Sequence, residues 1–396
     1  MSKYHNSFLF EEKSRVKSIE KKDNFFFAEF IDTIFYPGGG GQPCDTGIIV
    51  NDSFEGEVIE VEKQEDKIIH KIKPKRGELK TNDEVNLIIN KERRMNLIRM
   101  HTGEHILYKS LENILGQISL NKIDLGEDES TLFINADEMT WKELFLAEEL
   151  ANKIIDEDRQ MIEKEYPKTD AVMMEKVRIK PERIKSDTVR ILEVKDFDWS
   201  ACHGTHAKST SFVGNLLITR FNFAKGCWEI RFKVNVKKDF FDLSRIARES
   251  ATLFEADVNN VISFIRKLKE EAENYKEKFR KMSYKTLNNY SEEKIKEINF
   301  VYNLVEDIEK KQLVDKSSEL LKEKTIICFL NRENERITVL LNISKDLNLN
   351  APELLNKALS KFNGKGGGKD CFAMGSIEKA YSQDFLSELK KIIGKL

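Results

Sequence analysis

The chain has 396 residues, 40% of them hydrophobic and 34% charged, with a formal net charge of −2. That is enough for two or three domains with real cores, and too balanced a charge to attract nucleic acid through a global field. No apolar run is long enough to cross a bilayer, and segment 1–10 lacks signal-peptide architecture, so a soluble cytoplasmic protein with no membrane partner is the expectation. Five scattered cysteines do not make a disulfide framework; their thiols are expected free or metal-bound.

Residues 1–90 read as β-rich. Segments 25–30, 47–50 and 67–72 are strand candidates separated by Gly and Asn/Asp clusters, which predicts a small β-barrel. Segment 91–115 has no Pro and reads as a helix. Beyond it, 131–134 reads as a strand, 140–160 as a helix, and 188–194, 215–221 and 227–236 as strands, so 91–240 is expected to be an α+β core. Phe254, Val258, Val261, Ile265, Leu268, Ala272, Tyr275, Phe279 and Met282 then alternate spacings of four and three. This heptad seam predicts one long, coiled-coil-like helix within 241–298, a spacer that pairs with a neighbouring helix or another chain. In 299–396, strands at 325–330 and 336–343 and helices at 351–362 and 382–396 predict a small α/β domain. The whole is expected to be α+β.

Two pentapeptides carry the strongest chemical signal. In His101-Thr-Gly-Glu-His105 the histidines lie one helical turn apart on the same face. In Cys202-His-Gly-Thr-His206, Gly204 lets a short loop bring thiolate and imidazole together. One soft thiolate with imidazoles suits zinc; the bland alternative is a solvent-facing histidine pair and a buried free cysteine. His203 could compete as a ligand, although its side chain should project away from Cys202 and His206. Glu104 sits between two ligands, but the order is not His-Glu-x-x-His, so it is expected on the solvated helix surface.

The run from Thr33 to Gln42 ends in four glycines and is followed by Asp45 and Gly47. Without side chains, Gly39, Gly40 and Gly41 leave backbone N–H groups open to a ligand, and Thr33, Gln42 and Asp45 could orient a small polar substrate. A flexible hairpin turn is the alternative, and no Walker ending follows.

Three motifs in order, Phe35-Tyr-Pro-Gly-Gly-Gly-Gly-Gln-Pro-Cys-Asp-Thr-Gly47, His101 to His105 and Cys202 to His206, resemble the editing region of alanyl-tRNA synthetase and its free-standing relatives, the AlaX trans-editing proteins. Gly364-Lys-Gly-Gly-Gly-Lys-Asp-Cys-Phe-Ala-Met-Gly375 resembles the glycine-rich end of the synthetase's C-terminal domain, which DHH phosphoesterases share. The likeness spans nearly the whole chain and corresponds to the long AlaX form. It implies hydrolysis of tRNA(Ala) mischarged with serine or glycine, with one zinc per chain on His101, His105, Cys202 and His206. It further implies a serine-sensing role for Thr33, and a catalytic glutamine at Gln117 beside Gln42. Gly364, Lys365, Gly366, Gly367, Gly368 and Lys369 are expected to meet tRNA, and the spacer or the C-terminal domain to pair two chains. Two departures stand out. His203 replaces a small residue, leaving a fifth ligand open, and Trp228-Glu-Ile-Arg-Phe232 replaces a more basic stretch. Nothing resembles an aminoacylation domain. The competing readings are an editing hydrolase of another specificity, such as the threonine system, and a non-catalytic zinc-stabilised tRNA-binding module.

Overall fold

The computed structural model describes residues 3–170, 177–178 and 187–396. The chain divides into two compact units, Met1–Arg245 and Ile246–Leu396. Among the described residues the architecture is mixed α+β, with a closed six-stranded barrel and three further sheets. Among the described residues no helix is long and apolar enough to cross a membrane.

The first unit opens with the barrel: β1 (Glu11–Lys22), β2 (Phe25–Phe30), β3 (Gly47–Val50), β4 (Glu55–Gln64), β5 (Lys67–Arg76) and β6 (Glu84–Ile89), in the order β1-β2-β5-β4-β3-β6. Antiparallel pairing of β1 with β6 closes it. Alternation along the strands sends Phe26, Ala28, Phe30, Val58, Ile72 and Leu87 inward, each nearly or fully buried. Helix α1 (Lys91–Leu115) follows, capped by the Asn90 side chain accepting from the Arg93 N–H. It is the central element: from Leu97 to Tyr108 all but Asn96's neighbour Arg99 are buried, on every face. A Cβ on its Gly103 would come within 2.7 Å of Val234 Cγ1, so the glycine permits close packing against a strand.

Around α1 stand two sheets. One has the order β12-β13-β8-β7, built from β7 (Ser119–Asp124), β8 (Ser130–Asn135), β12 (Leu216–Ala224) and β13 (Cys227–Val234); α2 (Trp141–Asp156) also packs on α1. The other has the order β11-β10-β9, from β9 (Met161–Pro167), β10 (Thr188–Val194) and β11 (Asp198–Ala201).

Helix α3 (Lys237–Leu253) runs to the boundary between the units and on into the second. The single helix expected from Phe254 onward is corrected here. Glu255 adopts a left-handed φ of 48°, Ala256 N–H donates to Ala251 O at 2.9 Å, and a new start follows at a short 3₁₀ turn, Val258–Asn260. This Schellman-type ending stops α3, and the long helix α4 is Val261–Thr286. The remainder holds β14 (Ser291–Ile295), β15 (Ile298–Glu306), α5 (Lys310–Leu320), β16 (Thr325–Glu333), β17 (Arg336–Ile343), α6 (Ala351–Leu359), β18 (Lys365–Lys369), β19 (Phe372–Glu378) and α7 (Ser382–Ile393). Its sheet, β14-β15-β16-β17-β19-β18, is mixed: β15 and β16 run parallel through the α5 crossover and every other pair is antiparallel.

Candidate metal centre and adjoining cavity

Helix α1 and the loop after β11 bring four side chains to one point. His101, His105, Cys202 and His206 offer donor atoms that all lie within 4.8 Å of one another. Cys202 Sγ is 3.3 Å from both His101 Nε2 and His206 Nε2. Bonds of about 2.0–2.3 Å at tetrahedral angles require neighbouring donors roughly 3.3–3.8 Å apart, so the spacing suits one ion.

The far side of each element fixes the ligands. Gln42 Oε1 is 2.8 Å from His101 Nδ1 and accepts the Thr205 N–H at 3.0 Å, while Gln42 Nε2 donates to Thr205 Oγ1 at 2.8 Å. His105 Nδ1 is 2.9 Å from Ser200 Oγ and 3.7 Å from Asp198 Oδ2, and Asp198 is itself paired with Arg178 at 3.1 Å. With their Nδ1 atoms so occupied, both rings turn Nε2 toward the shared point, as ligating histidines do. The loop is held from behind: Arg190 donates to Cys202 O at 2.8 Å and Gly204 O at 2.9 Å and is ion-paired with Glu163. His206 N–H donates to Ser7 Oγ and Ala207 N–H to Thr102 Oγ1, both at 3.0 Å. Gly204 is required by proximity as much as by the turn, since a Cβ there would lie 2.1 Å from His101 Cε1.

The electrostatics favour a cation at the centre. Burial opposes ionisation of the Cys202 thiol, yet the neighbouring His101 and His206 rings hold it well below its ordinary value. Burial likewise opposes a charge on His105, but the Glu104 carboxylate, with Asp198 and Cys202, raises it to about 10. Burial drives His206 well below its usual range. The thiolate and the converging imidazoles make a donor set that could hold a divalent ion, consistent with zinc, with the buried Glu104 carboxylate beside it.

The cluster opens onto a cavity of about 1080 Å³. One wall is the row His101, Glu104, His105, Tyr108 and Glu112 along α1. The loop Gly38–41, the length of β7, and Arg178 with 200–204 also line it. Gly39, Gly40 and Gly41 have φ of 126°, 62° and 92°, conformations that glycine adopts without strain.

Several expected site residues lie elsewhere. Thr33 is not among the cavity's lining residues; its hydroxyl is 2.8 Å from His70 Nε2 and accepts the Phe35 N–H at 3.1 Å. Gln42 stands behind His101, almost fully buried. Asp45 is corrected from a substrate contact to half of a buried ion pair. It meets Arg94 through two hydrogen bonds, and both side chains are fully buried. Asp45 also accepts the Tyr36 N–H at 2.6 Å. Gln117, exposed just past the end of α1, does not line the cavity, whereas Asn121 on β7 does. Glu104 is corrected from a surface residue to a fully buried one, because α1 is packed on all sides. His203 is exposed and outside the cluster. The segment expected to meet tRNA, Gly364 to Lys369, is not a loop: Lys365–Lys369 is an edge strand, β18, paired with β19. Its Gly366 packs under α6, where a Cβ would lie 2.9 Å from Leu359 Cδ1, and its N–H donates to Asn356 Oδ1.

Sequence reasoning missed Arg190, Asp198, Ser200, Arg178 and Arg94. Arg190 leaves a trace: it is the lone charge inside the apolar run Val189-Arg-Ile-Leu192, a pattern that calls for a buried partner.

Comparison with known proteins agrees with this geometry. Three family models match: "tRNA synthetases class II (A)" over residues 4–93, "Threonyl and Alanyl tRNA synthetase second additional domain" over 189–231, and "DHHA1 domain" over 297–395. The alanyl-tRNA editing protein AlaX-L of Pyrococcus horikoshii is 28% identical, across 98% of this chain and 97% of that protein. The alanine–tRNA ligase of Pyrococcus furiosus is 30% identical over 87% of this chain, and that of Saccharolobus islandicus 36% identical over 47%. The chain spans only 38% and 21% of those two ligases. The order of the three matched regions and the end-to-end similarity to AlaX-L fit the long form of the AlaX-type alanyl-tRNA editing proteins.

Proposed function

We propose that this chain is a hydrolase that removes serine, and also glycine, from mischarged tRNA(Ala), using one zinc ion held by His101, His105, Cys202 and His206. The observation that carries the reading is a four-donor metal cluster opening on a cavity, walled by the loop Gly38–41, in a chain similar throughout to an alanyl-tRNA editing protein.

The chemistry explains why such a site is needed. A synthetase pocket sized for alanine rejects the added hydroxyl of serine only about 10²-fold, so a second site must correct the error. Bound zinc would supply Lewis acidity toward the ester carbonyl or an anchor for the substrate. The chain's own residues do the rest. Gln42 and Ser200 hold the ligand rings in one tautomer, and the side-chain-free loop, open at Gly40, admits the terminal adenosine close to the backbone. The cavity is of the size that encloses a nucleoside carrying a small acyl group. Thr33, the serine sensor that the resemblance implies, lies outside the cavity's lining with its hydroxyl bonded to His70 and Phe35, so in this reading it acts on serine through the loop it anchors rather than by direct contact. Lys365 and Lys369, exposed on β18, add affinity for the tRNA backbone. Ile262, Ile265, Leu268, Tyr275, Phe279 and Met282, exposed along α4, form the seam for a second copy of the chain.

The direct test is incubation with Ser-, Gly- and Ala-tRNA(Ala) and with Ser-tRNA(Thr), with and without chelator. Chelator-sensitive release of serine from tRNA(Ala), sparing alanine, is the expected result. Zinc binding with no deacylation of any of them would leave a tRNA-binding module instead.

A further inference from the structure

We propose that the Glu104 carboxylate receives the α-ammonium group of the aminoacyl ester, an inference that rests on the deacylase reading above. Glu104 is fully buried, and neither of its side-chain oxygens has a hydrogen-bond partner among the described residues. It nevertheless lines the cavity, one turn along α1 from His101, with Oε2 3.8 Å from the ligating Nε2 of His105. Among the described residues, the other carboxylates around the centre already have partners. Glu112 pairs with Lys109, Asp124 with Lys122, Asp198 with Arg178 and Glu163 with Arg190.

A buried carboxylate without donors costs several kcal/mol and persists where something brings it charge and N–H groups. A divalent ion on one thiolate and three neutral imidazoles retains one positive charge, which Glu104 would balance. But an ion bound through four protein ligands offers no hydrogen to the carboxylate's lone pairs. An α-ammonium group offers three, and every aminoacyl ester carries one beside the carbonyl to be attacked. Glu104 therefore selects unblocked aminoacyl esters over hydroxyacyl or N-blocked ones, and the amine fixes which way the acyl group lies against the metal.

The test uses the zinc-loaded full chain and two non-hydrolysable ligands. One is the seryl amide of an amino-deoxyadenosine, and the other is the same compound lacking only the α-amine. Binding is measured by calorimetry and zinc by metal analysis. The wild type should prefer the amine-bearing ligand by at least about tenfold, and Glu104→Gln should bring that ratio close to one with zinc content unchanged. Glu104→Asp, which keeps the charge but withdraws it by one methylene, should give an intermediate ratio and serves if the glutamine variant does not fold. A preference that persists in zinc-loaded Glu104→Gln overturns the proposal, as does a variant that loses zinc while its loaded fraction still prefers the amine. If neither ligand binds the wild type, the deacylase reading itself fails and takes the proposal with it.

Discussion

Gln42 offers the sharpest separation between a substrate contact and a residue that shapes the metal site. Its Oε1 accepts from His101 Nδ1 and from the Thr205 N–H, and its Nε2 donates to Thr205 Oγ1. Gln42→Leu keeps the volume and removes all three bonds. Two buried donors lose their acceptor, each at about 1–3 kcal/mol. The His101 proton is then free to move to Nε2, the atom that must face the ion. Loss of such an outer partner weakens metal binding by about 10–100-fold, or roughly 1.4–2.7 kcal/mol. Gln42→Glu retains the acceptor toward His101 and should stay within about tenfold of wild type. Competition with a chromophoric chelator measures both affinities, with thermal melts as a control for folding. A Gln42→Leu protein that binds zinc like the wild type but no longer deacylates would refute the reasoning and return Gln42 to the substrate-orienting role that its place beside the glycine run suggests.

Asp45→Asn should destabilise the first unit by about 3–5 kcal/mol in denaturant titration, because it strands the fully buried Arg94 guanidinium; a loss under about 1 kcal/mol would contradict the buried pair. Burial lowers His70 from 6.5 to about 4, so the unfolded chain takes up a proton that the folded barrel refuses. This contribution to stability is complete above pH 6.5 and falls by up to roughly 3 kcal/mol as the pH drops toward 4, and His70→Gln should flatten that part of the profile. Thr33→Val removes a hydroxyl bonded to His70 and Phe35; we expect about 1–3 kcal/mol lost in melts and about tenfold slower serine release with alanine unchanged. An unchanged serine preference in a folded variant would leave Thr33 a purely structural residue. Lys365→Ala with Lys369→Ala should reduce the slope of log affinity against log salt for tRNA by about one to two; an identical slope would exclude β18 from the tRNA contact.

What was legible in the sequence is what a single turn or loop encodes. The His101 and His105 pair needs only a helix, and α1 has the expected bounds at both ends because Asn90 and Gly116 mark them locally. The Cys202 and His206 pair needs only a short loop. What was illegible depends on residues far apart in the chain. Asp45 and Arg94 are separated by 49 positions, and nothing near either one announces the other. Glu104 would be solvated on an isolated helix and is buried only because α1 is packed on all sides. The break between α3 and α4 was hidden by a heptad spacing that runs on past it, since Glu255 entering the left-handed region is not a composition signal. Glycine shows the limit most directly. At 38–41 every residue has positive φ, so the absence of a side chain serves the backbone's conformation beside the cavity. At 366 and 368 the chain is an ordinary extended strand, and the absence serves neighbours that stand 2.9 Å and 2.1 Å from where a Cβ would be. Both runs read alike as open backbone, yet each is closed in part: a Cβ on Gly41 would lie 2.8 Å from Ile123 O, whereas one on Gly40 or Gly367 would meet nothing within 4 Å. A loop glycine can therefore be tested for ligand contact by what it admits, whereas substitution at Gly366 or Gly368 would report on sheet and helix packing before any effect on tRNA could be read.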